Sequence, residues 1–85
     1  MVGTTSNLTP REIQVLQLAA GGASNAEVAQ ALDIAVRTVR NHMYAIGHKY
    51  GTSGRVEAII YGLVTGDIDF TVARLDVEGR RVKSP

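Results

Sequence analysis

The sequence predicts an all-α domain, a bundle of four helices with a short C-terminal extension, and three observations predict it. Capping signals stand ahead of apolar stripes, glycines stand where the stripes stop, and apolar residues recur at spacings of three and four. At 85 residues the chain holds one domain at most. Its hydrophobic fraction of 45% is ordinary for a globular protein, and apolar runs such as residues 58–60 are far too short to cross a bilayer.

The first helix opens at Leu8-Thr9-Pro10-Arg11-Glu12. Thr9 serves as N-cap, Pro10 takes the first helical position, and Glu12 stands three residues after the cap to close a capping box. Ile13, Leu16 and Ala20 form its apolar stripe, and Gly21-Gly22 ends it, because glycine adopts the left-handed backbone without strain. Ser24-Asn25-Ala26-Glu27 repeats the capping box, with Ser24 or Asn25 as the cap. It opens a second helix of about two turns that carries Val28, Ala29 and Leu32. Asp33-Ile34-Ala35 is a tight connection to a third helix, from Val36 to about Tyr50, stopped by Gly51. Two helices joined by so short a turn form a helix-turn-helix. A fourth helix starts near Ser53 or Gly54 and runs through Arg55, Ala58, Ile59 and Leu63 to Gly66.

Residues 1–7 are expected to be a flexible N-terminus, 8–66 the helical domain and 67–85 the extension. In the extension Ile68, Phe70 and Val72 alternate with polar residues, as do Leu75 and Val77 before a turn at Glu78-Gly79. That pattern fits a small β element. It fits equally an extended tail that lays Ile68, Phe70 or Leu75 on the helical core. Arg80, Arg81 and Lys83 make the end of the chain basic.

The net charge of +1 is uninformative as a sum, but its distribution is not. Residues 35–51 contain Arg37, Arg40, Lys49, His42 and His48 and no Asp or Glu. No cysteine is present, which excludes disulfides, thiolate metal sites and thiol nucleophiles and fits a reducing cytoplasm. Residues 1–7 have neither the basic nor the apolar region of a secretory signal, so a cytoplasmic location is expected.

Val39, Met43, Ile46 and Tyr50 recur at spacings of four, three and four, and are expected to face the first two helices as core. Arg37, Arg40, Asn41, Tyr44 and His48 fall on the opposite side in one exposed strip. Its chemistry suits base edges: Arg bonds bidentately to guanine, Asn to adenine, and Tyr contacts a thymine methyl or a phosphate. Thr38 and His42 flank the strip, where they would hold phosphates and fix register.

Leu8-Thr9-Pro10-Arg11-Glu12, Val15-Leu16, Gly22, Ser24-Asn25, Glu27-Val28-Ala29, Leu32, Ile34, Thr38-Val39-Arg40, His42, Ile46, Lys49, Gly51, Arg55, Glu57-Ala58 and Gly66, in this order and spacing, closely resemble the LuxR-type (GerE-like) helix-turn-helix domain of bacterial transcription regulators. The resemblance covers about residues 8–68. It implies four helices, a third helix that enters the major groove of double-stranded DNA, and a fourth helix that pairs two protomers. By position it implies base contacts at Arg40, Asn41 and Tyr44, with Thr38 and His42 near the backbone; Arg37, His48 and Lys49 are expected as further backbone or flanking contacts. The larger members of that family carry a receiver or ligand-binding domain. With only residues 1–7 ahead of the first helix, the chain resembles the stand-alone members, and no cofactor or small-molecule ligand is expected.

Three features depart from that pattern. Ala35 stands where the family has a Ser cap, which leaves the third helix without about 1 kcal/mol of capping. Gly47 replaces a large apolar residue, at a cost of roughly 1 kcal/mol relative to alanine, and Tyr61 or Phe70 is expected to fill the space. Tyr44 stands where relatives carry Lys or another polar residue, so the operator does not transfer from them.

On the fourth helix, Ala58, Gly62, Ile59, Leu63, Val56, Ile60 and Val64 sweep an apolar arc of roughly 240°, broken only by Arg55 and wider than one buried face requires. Either the tail covers Ile60 and Val64, or Val56, Ile60 and Val64 form a two-fold dimer contact that sets two reading helices one DNA turn apart. Catalysis is not expected. His42 and His48 point to different sides of their helix with no carboxylate to complete a metal site, and Gly51-Thr52-Ser53-Gly54 matches neither a nucleophile elbow nor a phosphate loop. The rival expectation is a protein-interaction module derived from this fold that binds RNA polymerase or another regulator. The basic, carboxylate-free strip argues for DNA.

Overall fold

The computed structural model describes residues 7–69, and every one of the four expected helices is present. Helix α1 spans Pro10–Ala20, α2 Asn25–Leu32, α3 Val36–Tyr50 and α4 Arg55–Thr65. Both capping boxes form. The Glu12 amide donates to Thr9 Oγ1 at 3.1 Å while Glu12 Oε1 accepts from the Thr9 amide at 2.9 Å. Ser24 and Glu27 repeat the exchange at 3.1 and 2.8 Å, which makes Ser24 the cap of α2. Each box satisfies two donors that a helix start would otherwise leave to solvent, worth about 1 kcal/mol per cap. Helix α3 begins at Ala35, whose backbone is extended like a cap but whose side chain offers no acceptor.

The turn between α2 and α3 rests on Asp33, which ends α2 in the left-handed conformation at φ 58°. The Ile34 amide then returns to the Ala29 carbonyl at 3.0 Å and directs the chain into α3.

Helix α3 packs on α1, α2 and α4, and the core lies among them. Val15, Leu16, Val28, Val39 and Ile46 are fully buried, with Leu8, Ala19, Ala29 and Ala58 closing around them. The buried face of α1 is therefore centred on Val15, Leu16 and Ala19. Ile13 and Ala20, expected on the stripe, sit at its margins, half-buried. At 100° per residue they lie together on one flank, about 100° from the centre of that face, a shift the i, i+3, i+7 count does not resolve.

After α4 the chain turns at Gly66 and lays Ile68 into the core, where it is 2% exposed. A Cβ on Gly62 would stand 2.9 Å from Leu16 Cδ2 and 3.0 Å from Ile68 Cγ1, so the absent side chain lets α1 and this segment close on α4. Gln17 fixes the exit by donating to the Asp69 carbonyl at 2.6 Å and accepting from its amide at 3.3 Å. The expected placement of Ile68 on the core is thus met; the strand, hairpin or tail expected farther along lies outside the described residues.

Candidate nucleic-acid interface

The two faces of α3 separate by chemistry. Val39 and Ile46 are wholly buried, Met43 and Tyr50 pack against the core, and Arg37, Arg40, Asn41, Tyr44 and His48 are exposed together on the other side. Tyr44 is 79% exposed, a large apolar ring held in water by no neighbouring element. Thr38 and His42 lie at one edge of the strip, half-buried against the body of the domain. All eight side chains expected to touch DNA therefore lie on α3, and seven lie on or beside the strip.

Lys49 is the exception. Its Nζ stands 2.8 Å from Glu12 Oε1, so the ammonium turns away from the strip toward α1. The cause is Glu12, which is 6% exposed and requires a compensating charge. Burial alone would raise the Glu12 pKa, but the Lys49 hydrogen bond, the Thr9 amide and the Lys49 charge outweigh it and hold the carboxyl below its ordinary value. Glu12 thus both completes the capping box of α1 and anchors the end of α3. Lys49 fastens the end of α3 to the scaffold, a role the sequence did not assign it.

One expectation, at Gly47, needs correction. Tyr61 does not fill the space beside it: its ring lies against Tyr50, with centroids 4.4 Å apart, and only Thr52 atoms come within 4 Å of a Cβ built on Gly47. Phe70 lies outside the described residues. At Gly47 the α3–α4 turn comes in instead: the Thr52 amide donates to the Gly47 carbonyl at 2.9 Å, and a Cβ on Gly47 would meet the Thr52 carbonyl oxygen at 3.4 Å. The remaining space is an open cavity of about 510 Å³. Tyr50 in turn donates its hydroxyl to Asp67 Oδ2 at 2.6 Å; burial and the Asp67 carboxylate push the phenol pKa up and keep it protonated.

Two further polar residues carry structure that the sequence did not assign them. Arg55, read as an interruption of the apolar arc, donates from Nη1 to Asn25 Oδ1 at 2.7 Å and from Nη2 to the Ala23 carbonyl. It clasps the start of α4 to the start of α2. Asn25, weighed only as a cap, supplies the acceptor. The signal available in the sequence was a lone charge in an otherwise apolar arc, which is where a buried polar clasp would be sought.

A compact four-helix domain with a short α2–α3 turn and a basic outer strip on α3 has solved counterparts. The transcription factor GerE matches with a TM-score of 0.73 at 37% identity, over 76% of this chain and 97% of that one. The family model for bacterial regulatory proteins of the luxR family matches residues 6–62. The chain belongs to the luxR family of bacterial regulatory proteins. Similar luxR-family relatives include the glycerol metabolism activator of Pseudomonas putida, 45% identical over 64 residues, and the HTH-type transcriptional regulator MalT of Vibrio campbellii, 45% identical over 56. Those alignments cover 75% and 66% of this chain but only 28% and 6% of the relatives, so the likeness is to one luxR-type domain of each. The domain is all-α and of the DNA-binding helix-turn-helix type, as the resemblance implied.

Proposed function

We propose that this luxR-type domain reads a specific site on double-stranded DNA by laying α3 in the major groove, and that the chain regulates transcription through that contact. Arg40, Asn41 and Tyr44 meet base edges; Arg37, Thr38, His42 and His48 hold the flanking phosphates. The single observation that carries the reading is the exposed strip of α3, cationic and amide-bearing, without a carboxylate on it, backed by a fully buried Val39 and Ile46 that fix its orientation. A strip fixed in this way is preorganised, because the side chains that reach the bases ride on a helix that the core does not allow to rotate.

Protein binding is the second function of the same domain, and α4 supports it. Val56, Ile60 and Val64 are 67%, 54% and 80% exposed, an apolar face that a lone domain leaves in water. The proposed occupant is a second copy, which would set two α3 helices on half-sites about one turn apart. RNA polymerase or another regulator is the alternative occupant. A cytoplasmic, non-enzymatic role belongs to the same proposal; among the described residues no helix is long and apolar enough to cross a membrane.

The experiment is selection of bound duplexes from a randomised pool by the purified full chain, followed by titration of the recovered sequence in salt and against unrelated DNA. A recovered site that survives competition, with affinity falling steeply as salt rises, is the expected result. Failure to enrich any sequence would move the domain to the protein-binding reading.

A further inference from the structure

The cavity beside Gly47 is lined by Asn25, Arg40, Tyr44, His48, Ser53 and Arg55, with Gly47 and Thr52 behind them, and none of its lining residues is a carboxylate. Resting on the DNA-binding reading above, we infer that this cavity is a second anchor for DNA, a seat for a backbone phosphodiester on the strand opposite to the one held by Thr38 and His42.

The position on the helix supports the assignment. Taking the strip of Arg37, Arg40, Asn41, Tyr44 and His48 as the reading direction, Thr38 and His42 lie about 100° and 140° round α3 to one side, and Gly47 about 80° to the other. A helix in a major groove about 12 Å wide runs between two sugar–phosphate walls, one on each flank. With Thr38 and His42 facing one wall, the Gly47 cavity faces the other.

Its chemistry matches that wall. The Arg55 guanidinium is fixed in place by its bonds to Asn25 Oδ1 and the Ala23 carbonyl, which use only two of its five donors. It is therefore an oriented cation, unlike a surface arginine that must be ordered on binding. Arg40 and His48 stand at the rim and are exposed, while Ser53 at the mouth donates its amide and hydroxyl to Glu57 Oε1 at 2.8 and 3.1 Å and marks the edge of the seat without bonding the phosphate. Gly47 keeps the seat open, since any longer side chain there would project into it beside Thr52. The phosphate's partners come from three elements, so seating it would also lock the α3–α4 turn against the reading helix.

The test uses fluorescence anisotropy of the full chain on its selected duplex and on an unrelated duplex across a salt series. Gly47→Leu fills the seat, and Ser53→Asp places a carboxylate at its exposed mouth. Both variants should bind the two duplexes several-fold more weakly by the same factor, leaving their ratio intact. Gly47→Leu should also lower the slope of log affinity against log salt by about 0.9, the loss of one phosphate contact. Thermal melting establishes that each is folded; if Gly47→Leu is not, the exposed Ser53→Asp carries the test alone. Wild-type affinity and slope in folded variants would overturn this inference while leaving the DNA-binding reading standing. A wild-type chain that binds neither duplex would remove both.

Discussion

Lys49 Nζ lies 2.8 Å from Glu12 Oε1 and ties the last turn of the reading helix to the first turn of α1. The pair is one-sided in exposure: the Glu12 side chain is 8% accessible and the Lys49 side chain 32%. Removing Lys49 therefore leaves a carboxylate in a place water scarcely reaches. Lys49→Met should destabilise the domain by about 1–2 kcal/mol, less than a fully buried pair would lose because one partner is partly solvated. Thermal unfolding measures this. In the same variant the salt dependence of DNA binding should not change, since the ammonium is engaged with Glu12; a slope reduced by about one would return Lys49 to the DNA backbone.

The same contact sets a pH dependence. The folded pKa of Glu12 lies below its ordinary value, so the stability it contributes is fully present above that ordinary value, about 4.3 in a model peptide, and is lost as pH falls through the lower folded one. Melting temperature should hold steady between pH 7 and about 5 and then fall more steeply in the wild type than in Glu12→Gln. Parallel curves through the acid range would show that Glu12 titrates alike in the folded and unfolded chains.

Two helical glycines should answer alanine with opposite signs. At Gly47 a methyl meets the Thr52 carbonyl oxygen at 3.4 Å, an ordinary contact, so Gly47→Ala should gain about 0.5–1 kcal/mol from helix propensity. At Gly62 the same methyl would approach Leu16 Cδ2 to 2.9 Å and Ile68 Cγ1 to 3.0 Å, and overpacking of about 1–3 kcal/mol outweighs the propensity gain. Calorimetry of both variants is decisive. A stabilised Gly62→Ala would mean that Ile68 does not sit where α4 and α1 close on it.

The helices were legible because their ends carry local chemistry: Thr9 with Glu12 and Ser24 with Glu27 start α1 and α2, and glycines at 51 and 66 in the left-handed conformation end α3 and α4. The division of α3 into core and strip was legible for the same reason, since period and polarity agree along its length. What was not legible depends on partners far apart in the chain. Lys49 looks like one more cation of a basic segment until Glu12, 37 residues away, is brought beside it. Arg55 looks like a flaw in an apolar arc until Asn25, 30 residues away, accepts its hydrogen bond. Gly47 signals a gap, but only the path of the Thr52 turn shows that Tyr61 packs elsewhere, on Tyr50.

The outer face of α4 gives a prediction about assembly. Val56, Ile60 and Val64 are exposed together, and a charge at the centre of that face is incompatible with burying it against a second copy. Ile60→Glu should sediment as a monomer with an unchanged melting curve and bind its site more weakly than the wild type. A wild-type chain that stays monomeric in analytical ultracentrifugation even on DNA would end the dimer proposal.

The central claim is that α3 reads bases through its exposed strip, and the most direct measurement is discrimination by Arg40→Ala. Arg40 is exposed on that strip, so the variant should melt as the wild type does. Its affinity for the selected site should fall by about 1–3 kcal/mol while its affinity for unrelated DNA falls far less, so that the ratio between them collapses at the base pair Arg40 contacts. An unchanged ratio, with site and unrelated duplex weakened equally or not at all, would contradict the account and take base reading away from Arg40.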